Sequence, residues 1–259
     1  LTLESSHYSS VIPEPFTFLP SDMRTVSIAD GSISSSFLIL FGRPSRDSGV
    51  LSERNNSINA KQRLFLFNSG ALYRIMTWQC LERAIDVSDA SEVARLARSL
   101  EIECRPIDGA IAYFVNGEEP GSRIRMPEIN ANASAVATVK EVRERITAIL
   151  RRMTQYGNLV VDGRDITTAV FPDSPAKFYL TASAQARARR RRLEEVEKGI
   201  ANQSEEEVKA SLLARDQIDS SRRYSPLVKA DGALEIDSSD LTLDEVVGLV
   251  LERVNEVFG

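Results

Sequence analysis

Short apolar runs with no polar residue at alternate places constrain this chain most. Residues 37–41 (FLILF) and 64–67 (LFLF) are of this kind, as are 159–161, 177–180 and, more weakly, 234–236. Successive side chains of a strand point to opposite faces, so a strand that is apolar throughout must be covered on both sides. Helical spacing fills the gaps. Leu72, Ile75, Met76 and Leu81 lie at helical spacing within 71–84, and Val136, Val139, Val142, Ile146, Leu150 and Met153 form a stripe on one long helix. Charged helices are expected at 184–198 and 205–219, and a last helix at 241–257 with Asp240 or Thr242 as its cap. Strands alternating with helices predict an α/β fold with a mainly parallel sheet. Residues 101–120 break the rhythm with two short strands about an Asp108-Gly109 turn, a hairpin signal. Together with the helix after it, the hairpin reads as an insert carried on the main sheet.

Composition narrows the chemistry. His7 is the one histidine of 259 residues, and Cys80 and Cys104 are the only cysteines, at no metal-type spacing. Zinc chemistry and histidine-based triads are excluded in practice, so no residue is assigned to a metal. Catalysis must rest on carboxylates, arginines, hydroxyls, backbone amides or a cofactor. No apolar run approaches the roughly 20 residues that span a bilayer, and the start carries no charged, apolar, small-residue signal pattern. A soluble cytoplasmic protein with reduced thiols, and a monomer, is expected. Residues 1 to 60 differ from the rest, being Ser-rich, with scattered prolines and an opening Leu.

The charges cluster where ligands bind. In open α/β sheets that place is beyond the carboxyl ends of the strands. Residues 158–175 (NLVVDGRDITTAVFPDSP) put Asp162, Arg164 and Asp165 at such an end. An arginine there suits a phosphate, and a carboxylate suits a base, a sugar or a metal-bound water. A helix cap with a surface ion pair would read the same. Asn68, Ser69 and Gly70 follow the LFLF run and open a helix whose free amides suit an anion, with Arg74 one turn in. Arg215, Asp219 and Arg222 share one helical face, and Arg187, Arg190 and Arg191 sit on adjacent turns. The formal net charge is −5, so these arginines are a local feature, as in a phosphate-binding pocket. The 187–192 run could also be a solvated helix face; few aromatics interleave with it and the chain is acidic, so nucleic-acid binding is not expected.

Taken in order, NSGALYR (68–74), IRMPEINANAS (124–134), Val142-Arg143, VVDGRDITTAVFPDSPAKFYLTAS (160–183), ARARRRRLEEVEKG (186–199), RDQIDSSRRYSPL (215–227) and DGALEIDSSDLTLDEVV (231–247) resemble the bacterial-type cytidylate kinases over residues 61–258. The resemblance implies a P-loop nucleoside-monophosphate-kinase-like parallel sheet flanked by helices, with an inserted monophosphate-binding domain and an Arg-rich lid. The implied divisions are a leader at 1–36, a core at 37–87, 156–183 and 223–259, the insert at 88–155, and the lid with its following helix at 184–222. The implied reaction is phosphoryl transfer from ATP, with Mg2+, to CMP or dCMP in pyrimidine nucleotide metabolism. Ser134, Arg143 and Asp165 match the residues that read cytosine. Ser69, Arg74, Arg164 and Arg222, with Arg215 beside them, match those holding the acceptor phosphate. Asp219 matches the ribose-binding residue, and Arg187 with Arg190 or Arg191 would belong to the lid. Arg164, Arg187, Arg190 and Arg222 are the expected catalytic cations. Thr167 and Asn68 depart from the family's usual Gly and Asp.

The phosphate loop G-x-x-x-x-G-K-[ST] is missing. After FLILF comes GRPSRDSGVLSE (42–53), where Gly42, Ser48 and Gly49 could supply amides but no lysine follows. A second candidate, IADGSISSSF (28–37), opens with Asp-Gly and has Phe37 in the lysine's place. The spacing to Asn68 favours the first. Either the loop is degenerate, or residues 1–60 are foreign to the rest, as after a shifted frame. A CMP-binding homologue without transferase activity and a UMP-type kinase are the competing expectations.

Overall fold

The computed structural model describes residues 25–30, 64–107, 110–197 and 203–258. Seven strands form one sheet: β1 (Thr25–Asp30), β2 (Leu64–Asn68), β3 (Ile102–Ile107), β4 (Ala110–Val115), β5 (Asn158–Gly163), β6 (Ala176–Thr181) and β7 (Leu234–Asp237). Their order across the sheet is β3-β4-β2-β5-β1-β6-β7. Every neighbouring pair is parallel except β3 with β4. The helices are α1 (Ser69–Glu82), α2 (Ala90–Ser99), α3 (Pro127–Val136), α4 (Lys140–Arg152), α5 (Ala184–Glu197), α6 (Glu205–Ser221) and α7 (Leu243–Phe258). None of the described helices is long and apolar enough to cross a membrane.

The unalternating runs are explained by two cores, one on each face of the sheet. Phe65, Phe67, Leu159 and Val161 join α1, α2 and α4 in the larger core. Leu66 and Val160, the residues between them, pack with Phe178, Leu180, Ile236 and the Val246, Val247, Val250 and Val254 stripe of α7. The strand period of two sends neighbours to opposite cores, and both must be apolar. β6 is different. Ala176, Phe178 and Leu180 are buried while Lys177, Tyr179 and Thr181 are half-buried, so this strand alternates after all.

Local signals set the helix ends. Asn68, the last residue of β2, is the N-cap of α1, its side-chain oxygen accepting from the Ala71 amide at 2.9 Å. Thr242 rather than Asp240 caps α7: its hydroxyl accepts from the Glu245 amide at 3.3 Å, and the Glu245 carboxylate accepts from the Thr242 amide at 2.7 Å. Ser204 and Glu207 form the same reciprocal box at the start of α6.

Three expectations change. The long helix over 136–153 is two: Val136 ends α3, Val139 caps α4, and Met153 opens a 3-10 turn, yet all six stripe residues are buried. The stripe tracked a continuous apolar surface, not continuous backbone. α2 went unread, although Asp89 caps it and Val93, Leu96, Ala97 and Leu100 follow at helical spacing. Among the described residues, Thr25–Asp30, within the span expected as leader, is a strand before β2, and it lies between β5 and β6 and pairs with both. Residues 37–41, the expected strand, lie outside the described residues.

Candidate active site

Four segments meet over the carboxyl ends of β2 and β5. The register pairs Asn68 with Asp162, so both strands end level. Gly163 then presses on the start of α1: a Cβ there would lie 2.2 Å from the Ser69 hydroxyl and 2.9 Å from Ile166. No larger residue fits without moving one of them. α3 faces this junction with Asn130, Ala133, Ser134 and Ala137, spaced as one helical stripe. α6 and the residue after it bring Arg215, Asp219 and Arg222 from the far side. They line a cleft of about 670 Å³, the open space at its mouth included.

At the cleft's inner end, Arg143 and Asp165 form a buried ion pair, 2.5 Å apart, with side chains 5% and 3% exposed. Arg143 also donates to the Ala137 carbonyl at 2.9 Å and lies 5.3 Å from the centre of the Tyr73 ring. Burial, reinforced by Asp165, pushes the Tyr73 phenol well above its ordinary range, so it stays neutral. The Arg143 Nε is buried and makes no hydrogen bond.

Beside this pair, arginines converge on Asp219. Its carboxylate is 3.0 Å from Arg222, 3.2 Å from Arg164 and 4.0 Å from Arg215. Arg222 is 8% exposed, donates to the Ser225 carbonyl at 2.8 Å and keeps a buried Nη2 with no hydrogen bond. Burial, then the neighbouring Arg143, lower its pKa, and Asp219 opposes the shift. Five arginines (74, 143, 164, 215 and 222) line the cleft against three aspartates (162, 165 and 219). The formal surplus of two positive charges matches a phosphate monoester dianion. A buried donor without an acceptor costs about 1–3 kcal/mol, and an anion bound here would remove that cost.

All nine residues expected to bind substrate (Ser69, Arg74, Ser134, Arg143, Arg164, Asp165, Arg215, Asp219 and Arg222) line this one cleft. Arg187 and Arg190 do not. Arg187 reaches Asp216 at 2.6 Å and the Ala182 carbonyl at 3.1 Å. Arg190 is spent on the loop before α7, donating to the Ser238 hydroxyl at 3.1 Å and to backbone carbonyls of Ser238 and Leu241. Arg191 pairs with Glu195, one turn on along α5, at 3.1 Å. Gly42, Ser48 and Gly49 lie outside the described residues. Sequence reasoning missed Asn130, which sits one turn before Ser134 on the same face and was findable by that spacing. It also missed Asp216, which stands between Arg187 and Arg164 (3.9 Å). The packing of α5 on α6 brings Arg187 to it, while Arg164 reaches it from the corner after β5.

The cytidylate kinase family profile matches residues 53–256. The chain belongs to the cytidylate kinase family. The cytidylate kinase of Limosilactobacillus reuteri is 42% identical over 189 residues, covering 73% of this chain and 83% of that protein. The cytidylate kinase of Shouchella clausii is 39% identical over 193 residues, 74% of this chain and 85% of its own. A bifunctional pantoate ligase/cytidylate kinase from Synechococcus is 39% identical over 198 residues, 74% of this chain and 41% of that longer protein. Every segment of the cleft falls inside the cytidylate kinase match, whereas β1 lies before it.

Proposed function

We propose that this chain transfers the γ-phosphoryl group of ATP to CMP or dCMP, giving CDP or dCDP. The observation that supports this most directly is the arginine-rich cleft, with its surplus of two positive charges and its buried donors on Arg143 and Arg222. Cytosine enters at the inner end. The Arg143 guanidinium donates to its O2 and N3 acceptors, and the Asp165 carboxylate accepts from its N4 amino group. Uracil would present an oxygen to that carboxylate, and like would face like. Ser134 supplies a hydroxyl from α3. The acceptor phosphate lies toward Ser69, Arg74, Arg164 and Arg222, with Arg215 at the mouth, and Asp219 takes the ribose hydroxyls.

The attacking oxygen already carries charge, so no general base is needed. The protein's work is to align the acceptor and to surround the moving phosphoryl with fixed cations. Arg164 and Arg222 are held by Asp219, so they cost little reorganisation in the transition state. Helices α5 and α6, within 184–222, act as the lid that excludes water, with Arg187 and Arg190 carried on α5, and 88–155 as the monophosphate-binding insert. No group of three His, Cys, Asp or Glu forms a metal cage among the described residues. The hard oxygen of Asp162 at the β5 end fits a Mg2+ held mainly by phosphates and water, an ion that neutralises charge on the transferring group.

The test is calorimetry with CMP, UMP and cytidine, followed by ATP with Mg2+ and a coupled ADP-release assay. CMP binds at least tenfold more tightly than UMP or cytidine, and is turned over. Equal affinity for CMP and UMP would refute the base-reading assignment, and CMP binding no tighter than cytidine would refute the phosphate site.

A further inference from the structure

The turn that carries Asp165 is held by one helix at two points. Asp165 ends the strand-to-turn corner after β5, and residues Ile166–Val170 then form a single π-helical turn. The Asp165 carbonyl closes that turn by accepting from the amides of Ala169 at 2.9 Å and Val170 at 3.2 Å. The carbonyls of Ala169 and Val170 both accept from Arg151. Its Nε donates to Val170 at 2.8 Å and its Nη2 to Ala169 at 2.9 Å. Arg143, on the same helix α4, holds the Asp165 carboxylate. Eight residues separate Arg143 from Arg151, about 12 Å of rigid helix at about 1.5 Å per residue.

We propose that Arg151 is a positioning residue for base selection. It acts through the backbone of the turn: by clamping residues 169 and 170 it fixes the rotation of the turn about Asp165. The Asp165 carboxylate then meets Arg143, and the base, in one geometry. A wide turn with i-to-i+5 bonds, such as Phe171 to Ile166 at 2.7 Å, has few ways of holding itself. A planar fork spanning two consecutive carbonyls supplies a constraint that a point charge would not. This rests on the assignment of Asp165 to the cytosine.

The experiment is calorimetric titration of CMP and UMP into the unmodified chain and into Arg151→Met, Arg151→Lys and Arg152→Met, with thermal unfolding of each. Arg152, the neighbour of Arg151 and likewise exposed, serves as the control. Arg151→Met is expected to weaken CMP about tenfold while leaving UMP nearly unchanged, since two charge-assisted bonds orient only the group that discriminates. Arg151→Lys, able to reach one carbonyl, recovers part of the ratio, and Arg152→Met keeps it. An unchanged CMP-to-UMP ratio in Arg151→Met, with or without a lower Tm, would overturn the proposal and leave Arg151 a stabilising cap. An unmodified chain that binds CMP no better than UMP would instead overturn the base-reading assignment itself.

Discussion

Asp165→Asn isolates the Arg143–Asp165 pair. The change keeps the shape of the side chain and removes its charge, which strands a guanidinium only 5% exposed. Removing one partner of a buried pair costs about 3–5 kcal/mol. Arg143 keeps the Ala137 carbonyl and the Tyr73 face, so the lower end, about 3 kcal/mol, is expected. For a chain of this size that is a fall in Tm of about 6–12 °C. Replacing both partners by apolar residues, Arg143→Met with Asp165→Leu, should recover most of the loss, because a well-packed apolar pair avoids desolvating any charge. Urea unfolding of Arg143→Met, Asp165→Leu and the double variant closes the cycle. CMP calorimetry on Asp165→Asn should show a loss of about 10- to 100-fold, the value of a hydrogen bond to a charged acceptor. A single-variant cost below about 1 kcal/mol, or a double variant no more stable than the singles, would refute the claim that this pair is buried and coupled.

Gly163→Ala should abolish tight CMP binding and destabilise the fold by about 1–3 kcal/mol, since the new methyl collides with the Ser69 hydroxyl and Ile166; calorimetry and urea unfolding read the two effects. Alkaline stability should fall from pH 9 upward. Burial pushes the Cys80 thiol up to about 11 and the Cys104 thiol up to about 12. A folded pKa raised above the unfolded one adds stability that is complete below pH 9 and lost as pH rises toward those values, because the unfolded chain releases protons first. Urea midpoints from pH 8 to 11 should show this, with a shallower fall in Cys104→Ala. Arg190→Met should leave CMP affinity within about twofold and lower stability by about 1 kcal/mol, as Arg190 bonds to the 238–241 loop. A large loss of CMP affinity would place Arg190 at the acceptor site.

Much of the site could be read because its residues carry local signals. Ser69 and Gly70 open a helix straight after a strand, and Asp162 to Asp165 put charge where an apolar run stops. Arg215, Asp219 and Arg222 declare a shared face by spacing alone. Other features had no such signal. The helix over 136–153 was misread because the stripe of buried side chains continues across the break between α3 and α4. β1 was missed because TVSIAD alternates and sits in Ser-rich surroundings, while FLILF nearby matches the buried-strand pattern better.

The sequence by itself determined the class of fold and the parallel character of the sheet, which rest on residue type and period over a few turns of chain. Its resemblance to the cytidylate kinases pointed to nine side chains that the structure brings to one cleft. Only the tertiary structure decided which arginines share a carboxylate, which are spent on backbone carbonyls far from the cleft, and which donors are left buried and unmatched. It also decided that Arg151 grips the turn bearing Asp165. Such pairings depend on which elements pack side by side, and residues 19 or 48 positions apart in sequence carry no local mark of meeting.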